Sequence, residues 1–324
     1  MAYQPGNVPA GFDPLFFQQE LNKIREAMTG QVPFAYLEPQ AVANPKPREG
    51  MIVLADGTHW DPGSGAGYYG YQGGVWVPLS GKRDHGQCVL RLSSSTELRL
   101  YPKNGNGIIV GDKQFRIPLA GVPLAATGLT AGTPYYAFAK DNGSGALALE
   151  AAAVASSGHT TYTNGVEIKT GDPSRTLVGA FVPGAGPIFL DSTTQRRVAS
   201  WFNERPRAMY EYINTATASA TMVGIGAAYT AFMWAGKDVL DVAEGETKNT
   251  VASTGNYLGI YVNGASINTA IGYTMTTANF QYPAGTVAPY AVPADGLYTF
   301  QIFARVNGGG TGTFELNHAM TLPG

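Results

Sequence analysis

Between Gly296 and Val306 the chain alternates without a break. Leu297, Thr299, Gln301, Phe303 and Arg305 fall on one side, and Tyr298, Phe300, Ile302, Ala304 and Val306 on the other. A period of two places these sets on opposite faces of an extended strand, and one solidly apolar face is what a sandwich strand requires. Shorter runs of the same kind predict strands at 209–213, 229–233, 257–262, 273–277 and 313–320. Upstream they predict strands at 89–92, 97–101, 107–110, 114–118, 135–140, 147–151, 166–168, 177–183, 188–190 and 198–202. Turn residues (Gly, Asn, Asp) separate them, and the spacing suits a sandwich or barrel. A charged stretch at 204–207 containing Pro206 marks a boundary. Residues 81–207 therefore read as a middle β domain and 208–324 as a second one; no internal repeat of fixed period is visible.

The N-terminal quarter follows other rules. Pro5, Gly6, Pro9 and Gly11 make residues 1–12 an extended arm. A helix follows: Asp13 can cap it, Pro14 suits its first position and Gly30 can end it. Phe17, Leu21, Ile24 and Met28 are spaced four, three and four, a coiled-coil-like stripe about two heptads long. So short a helix does not hold alone; it either packs on its own domain or self-associates and docks into a larger assembly. Residues 1–30 are thus an arm and anchoring helix, and Pro33, Pro39, Pro45 and Pro47 make 31–49 a stiff linker. Residues 50–80 form a small β module with strands at 51–55, 68–71 and 75–78, a turn at Asp56 and Gly57, and a two-residue hairpin turn at Gly73 and Gly74. Some 30 residues bury little, so this module needs a neighbour or a symmetry mate.

Composition sharpens the β reading. Only 14% of the 324 residues are charged, against about 25% in ordinary globular chains. The 42 glycines are nearly twice the usual proportion. Charged helix faces are scarce and tight turns abundant. The net charge of −2 provides no basic field for nucleic acid or acidic membranes. One cysteine, Cys88, excludes a disulfide framework within the chain. No apolar run is long enough to span a membrane. The opening MAYQPGNVPAG lacks the basic and apolar regions of a secretion signal, so the expectation is synthesis in a cytoplasm and release by another route, such as within a particle freed by lysis.

Catalytic chemistry finds little support. The G-x-S-x-G elbow is absent, since GSGAG at 63–67 has the wrong order. Cys88 follows Asp84 and His85 in DHGQC, but catalytic partners meet in space rather than in sequence; a loop leading into a small buried thiol is the plainer reading. His59, His85, His159 and His318 are scattered, with no metal-binding spacing, and each is expected as an exposed turn histidine. Asp56 and Asp61 lack the ligand ladder of a calcium loop. Glycines precede strands rather than helices, which rejects a phosphate loop. With 23 acids, some carboxylate pair will always meet a glycosidase separation, so sequence supports no such site. The expectation is a non-enzyme without cofactor or metal. Trp60, Tyr68, Tyr69, Tyr71 and Trp76 crowd into 17 residues. They are either a platform for sugar rings or another chain, or the large side chains that a small β unit needs as its core. Tyr210, Tyr212, Tyr229, Phe232, Trp234, Tyr257 and Tyr261 read as core or subunit interface.

The run GMIVLADGTHWDPGSGAGYYGYQGGVWVPL resembles a short β module of tailed-bacteriophage fibre and virion-decoration proteins, in its ADGT turn, its W-x-P-G-S-G segment and its closing G-x-W-x-x-L. TPYYAFAKDNGSGALALE, RTLVGAFV and RRVASWFN are similar to segments of phage structural proteins. The ending GLYTFQIFARVNGGGTGTFELNHAMTLPG resembles the C-terminal jelly roll of trimeric phage fibres and of complement- and tumour-necrosis-type trimers. The fold expected is mainly β: arm and short helix, small hairpin module, then two sandwich or barrel domains, the last jelly-roll-like. The resemblance implies a homotrimer on a virion surface, holding capsid or tail proteins through residues 1–30 and offering its last domain to a host glycan or protein. It brings no catalytic residues. Fibres of this kind often carry a coiled-coil or β-helix shaft, which this chain lacks; a short projection is implied, on tail or head. The rival expectations are a capsid decoration or cement protein, a glycan depolymerase, and a cellular trimeric lectin.

Overall fold

Alternating strands hide their apolar faces by stacking sheets, and stacked sheets dominate this chain. The computed structural model describes residues 14–29, 39–42, 47–62, 66–79, 84–186 and 188–323. These fall into two compact units, Met1–Lys82 and Arg83–Gly324. The fold is mainly β, with one α-helix among the described residues.

In the first unit, α1 (Pro14–Thr29) begins at the proline expected to start it. Asp13, Gly30, the arm 1–12 and residues 31–38 and 43–46 of the linker lie outside the described residues. The linker's Pro39–Gln40 forms β1, which pairs in parallel with β2 (Ile52–Ala55). β3 (Gly67–Gln72) and β4 (Val75–Pro78) complete the sheet in the order β1-β2-β3-β4. Gly73 and Gly74 have φ of +57° and +85°, the left-handed pair that a tight hairpin turn demands. Val53, Ala55 and Tyr69 are the core, with Trp60 and Trp76 packed against them.

The second unit opens with β5 (Cys88–Ser94), β6 (Glu97–Pro102), β7 (Gly107–Val110), β8 (Lys113–Arg116) and β9 (Val122–Ala125). β5, β6 and β9 form one sheet, and β7 and β8 a hairpin. There follow β10 (Tyr135–Asp141), β11 (Leu147–Ala153), β12 (His159–Thr161), β13 (Glu167–Lys169), β14 (Asp172–Phe181), β15 (Gln195–Arg196) and β16 (Val198–Ser200). All but β15 join a second sheet, ordered β11-β10-β14-β13-β12 with β16 on β14. Leu90, Leu98, Leu100, Ile108, Val178 and Phe181 fill the space between sheets. The strand expected at 188–190 reduces to a single bridge between Ile188 and Gly184. Cys88 is buried at the start of β5.

The last nine strands are β17 (Arg207–Thr217), β18 (Val223–Met233), β19 (Asp238–Asn249), β20 (Thr254–Val262), β21 (Ala265–Ser266), β22 (Ile271–Met275), β23 (Tyr282–Ala291), β24 (Gly296–Asn307) and β25 (Gly312–Leu322). Leaving aside the two-residue β21, the pairing is that of one long double strand. β17 pairs β25, β18 pairs β24, β19 pairs β23, and β20 pairs β22, all antiparallel. Rolling it up places alternate pairs in opposite sheets, β17-β25-β19-β23 and β18-β24-β20-β22. That is the jelly roll. Tyr298, Phe300, Ile302, Ala304 and Val306 of β24 all face inward, as the alternation predicts.

The boundary expected at 204–207 lies inside this unit, between β16 and β17. β15 pairs in parallel with β18. Phe232 of β18 shares a core cluster with Tyr136, Phe138, Leu177 and Ala180. A common sheet and a common core therefore join the two halves.

Candidate functional site

Six side chains from strand ends meet where those halves join. Tyr136 is the second residue of β10, and His159 and Glu167 open β12 and β13. Trp201 and Trp234 each follow the last residue of a strand, and Asp295 precedes β24. Strand ends carry loops, and loops on a rigid sheet are where binding groups are usually placed.

His159 is held at both nitrogens. Nδ1 lies 2.5 Å from Glu167 Oε1, and Nε2 lies 2.8 Å from Asp295 Oδ2. Tyr136 donates its hydroxyl to the same Asp295 oxygen at 2.7 Å, and the Ala235 N–H donates to Oδ1 at 2.7 Å. Thr161 donates to the second oxygen of Glu167 at 2.7 Å. The hydrogen bond to Asp295 raises the His159 pKa above its ordinary value; burial opposes this, and Glu167 reinforces it. For Asp295 burial pushes upward, but His159, the Ala235 N–H and Tyr136 outweigh it and hold the carboxyl low. Burial raises the Tyr136 phenol, helped by Asp295. A general base needs a nitrogen free to face its substrate. Here both are engaged, so the imidazole acts as a charged tie between β12, β13 and the approach to β24.

Above this tie are the aromatic rings. Trp201 and Trp234 meet edge to face with centroids 4.9 Å apart, and Tyr136 stacks parallel to Trp234 at 6.3 Å. His159 packs edgewise on Tyr136, Trp201 and Trp234. The open cleft they line measures about 350 Å³. The half-buried indoles of Trp201 and Trp234 with a carboxylate at the base suit a sugar ring, whose C–H faces stack on aromatics and whose hydroxyls donate to the remaining lone pairs of Asp295. Among the described residues no group of three or more His, Cys, Asp or Glu side chains is placed to hold a metal ion. Glu167 and Asp295 approach opposite sides of one imidazole rather than a common point.

The residues singled out from sequence lie elsewhere, in the first unit. Phe17 and Leu21 are exposed on α1, Ile24 is half-buried, and the side chain of Met28 lies outside the described residues. Among the described side chains of α1, Glu20 is the buried one, bonded to Lys23 Nζ at 2.7 Å. Tyr69 is the core of the β module; Trp60, Tyr71 and Trp76 are half-buried, and Tyr68 is exposed. Trp60 and Tyr71 both pack edgewise on Trp76, at 5.5 and 5.0 Å. The aromatic crowd thus serves as a small core. Asp56 ties the ADGT turn by accepting the N–H groups of Thr58, His59 and Trp60, with His59 Nδ1 at 2.8 Å from its other oxygen. Those bonds, Trp60's foremost, hold its pKa at about 2.

Three histidines depart from the expectation of exposed turns. His85 is half-buried, its Nδ1 accepting the Ile109 N–H at 3.1 Å and its ring edgewise on Phe202. His159 is in a strand, and His318 is fully buried in β25, its Nε2 2.7 Å from Asp241 Oδ1. A carboxylate partner stands behind the last two: carboxylates engage both nitrogens of His159, and at His318 Asp241 engages Nε2, leaving Nδ1 and the second Asp241 oxygen buried without a partner. The cleft residues come from positions far apart in sequence, so local motifs miss them. One signal was available: the chain has four tryptophans, and they pair off as Trp60–Trp76 and Trp201–Trp234.

No protein-family model matches the chain, and no curated protein matches it. Among solved structures, the chain is similar to infectious bursal disease virus, Gt strain (12% identity, TM-score 0.28, covering 80% of this chain and 65% of that one). It is also similar to the VP2 subviral particle of the same virus (14%, 0.29, 80% and 65%). A third likeness is to the insecticidal delta-endotoxin Cry8Ea1 from Bacillus thuringiensis (11%, 0.26, 85% and 60%). The chain spans less than two thirds of the length of each. Likenesses at these TM-scores carry no argument about what this chain does.

Proposed function

We propose that this chain is a virion structural protein: a short homotrimeric fibre of a tailed bacteriophage that attaches through residues 1–30 and presents its jelly-roll half to the host surface. The attachment part rests on the phage-module resemblance of residues 50–79 and on the exposed Leu15, Phe17 and Leu21 of α1. The observation that carries the display part is the Trp201–Trp234 cleft, held in shape by His159 between two carboxylates. A preorganised aromatic cleft loses little entropy when a sugar enters it. Three copies on one projection raise a weak contact through effective concentration. In this reading the chain binds glycan without hydrolysing it.

The test uses phage with the gene deleted and phage carrying Trp201→Ala with Trp234→Ala. Deletion removes a projection visible by electron microscopy, and the double substitution keeps the projection but lowers adsorption at least about tenfold. Deleted particles that adsorb normally overturn the host-binding role; if they also lose heat resistance, the chain is a capsid decoration protein. Release of reducing ends from purified host glycan would assign hydrolysis instead.

A further inference from the structure

Four arginines and two acids gather where the loop between β16 and β17 lies against β5. Arg91 is on β5, Arg196 on β15, Arg207 opens β17, and Glu204 and Arg205 lie in the loop itself. Asn203 fastens that loop, donating to the Gly86 and Cys88 carbonyls at 2.8 and 3.0 Å. Asp191 joins the group through a backbone bridge to Arg196. The two acids already have cations. Arg207 donates Nη1 to Asp191 Oδ1 at 3.0 Å and Nη2 to the Val198 carbonyl at 2.7 Å, and its Nε lies 3.1 Å from Glu204 Oε1. Arg196 Nη1 lies 3.5 Å from the same Asp191 oxygen. The second Glu204 oxygen accepts the Ser200 N–H at 2.6 Å. Arg91 and Arg205 are left over. Both are exposed, and neither makes an ion pair or hydrogen bond among the described residues. Four guanidinium groups against two carboxylates give a local charge of +2, in a chain whose net charge is −2.

These groups line a cleft of about 330 Å³, with Val89 and Leu92 among its apolar walls. That is the small end of the range for ligand pockets, about 300–1,000 Å³. Burial pushes the Glu204 carboxyl above its ordinary value against the pull of Arg207 and, more weakly, of Arg91, so the Arg91 charge reaches the opposite wall.

We infer that this cleft binds an acidic saccharide, with Arg91 and Arg205 gripping its carboxylate or phosphate group. The inference rests on the glycan-binding reading above and gives it a second site, lined by different residues from the Trp201–Trp234 cleft. The planar fork of a guanidinium matches the paired oxygens of either anion. A sugar fits better than a bare ion because the cleft offers more than charge. Both arginine contacts to Asp191 fall on Oδ1, which leaves Oδ2 to accept a hydroxyl. Val89 and Leu92 meet the C–H face of a ring.

The test is isothermal titration calorimetry on the full chain, with trigalacturonic acid, its methyl ester and glucose 6-phosphate as probes. At least one acid is expected to bind with a Kd of about 1 mM or tighter. The uncharged ester binds at least about tenfold more weakly than trigalacturonic acid where that acid binds, and Arg91→Gln with Arg205→Gln weakens the acid by a similar factor. Arg205→Lys keeps the charge without the fork and falls between. Lys113→Gln, exposed on β8, changes nothing. Which acid binds more tightly tells whether the sugar carries carboxylate or phosphate. Should the double variant lose its near-ultraviolet dichroism, Arg205→Gln alone, in an exposed loop, gives a loss in the same direction. The inference is overturned if neither acid binds at about 10 mM, if the ester binds as well as its acid, or if binding survives the folded arginine variants. Binding lost in Trp201→Ala with Trp234→Ala but kept in the arginine variants would discard this site and keep the glycan reading. Arginine-dependent binding in a chain whose arginine and tryptophan variants leave phage adsorption unchanged would keep this site and discard the host-binding role.

Discussion

Asp295 is the acceptor on which the cleft depends, and Asp295→Ala gives the most direct measure of that dependence. Three donors lose their partner: His159 Nε2, the Tyr136 hydroxyl and the Ala235 N–H. Ala235 is exposed, so water replaces its acceptor at little cost. The other two are more enclosed; the Asp295 side chain is only 10% exposed. A charge-assisted bond contributes about 1.5–3 kcal/mol and a neutral one about 1. The cleft is open to solvent, so screening favours the low end. The expected loss is about 3 kcal/mol. In a unit of about 240 residues that lowers the thermal midpoint by roughly 6–12 °C. Asp295→Asn keeps an acceptor and loses the charge, so about half of that loss is expected. The assay is thermal unfolding followed by tryptophan fluorescence, which Trp201 and Trp234 report directly. A double-mutant cycle with His159→Ala isolates the ion pair, with an expected coupling of about 1.5 kcal/mol. An Asp295→Ala midpoint within a degree of wild type, with no coupling, would refute the tie.

The same pair sets a pH dependence. His159 has a raised folded pKa, so its contribution is complete below its ordinary value near 6.5 and is lost as pH climbs through the folded value; Asp295, held low, contributes above about 3.8 and loses that contribution as pH falls through its own folded value. The midpoint of wild type minus that of His159→Gln should therefore be greatest between about pH 4 and 6.5 and should shrink above neutrality; a difference constant from pH 5 to 9 contradicts the assignment. Burial pushes the Cys88 thiol up to about 12, so a thiol reagent at pH 8 should label the native chain at least about 1000-fold more slowly than the denatured chain, and rapid native labelling would disprove its enclosure. For the buried pair Asp241–His318, Asp241→Leu or His318→Phe alone should cost about 3–5 kcal/mol in denaturant melts while the double replacement returns near wild type; additive losses would mean that the pair is not one unit.

What the sequence revealed followed the strength of alternation. β24 was legible because its inward residues are all apolar, from Tyr298 to Val306. The hairpin of β3 and β4 was legible because Gly73 and Gly74 leave few other conformations. The cleft was not legible: Tyr136 and Asp295 are 159 residues apart, and only the folded sheets bring them together. Trp201 and Trp234 carried the one local hint. The strands β12 and β15 escaped because their residues, His159–Thr161 and Gln195–Arg196, are polar, and β9 because Pro123 interrupts its four.

The long strands β19 and β23 escaped for a different reason. β19 turns Asp241, Thr247 and Asn249 inward beside Val239 and Ala243, and turns Leu240 and Val242 outward. Its inner face is partly polar because His318 binds Asp241, and Asn256 bonds both Thr247 and Asn249. Its outer face is partly apolar. The two faces nearly cancel, and the sequence shows no strand period. β23 repeats this, with Thr286 inward and Val287 and Pro289 outward; its prolines are compatible with an edge strand. The loss of alternation in β19 and β23, strands 12 and 10 residues long, follows from polar residues inside and from Leu240, Val242, Val287 and Pro289 outside, where Asp238, Glu244, Glu246 and Lys248 share the outer face of β19. Leu240 and Val287 are each 53% exposed, so Leu240→Lys with Val287→Glu should cost no more than about 1 kcal/mol in a denaturant melt, and a larger loss would show that these side chains are packed.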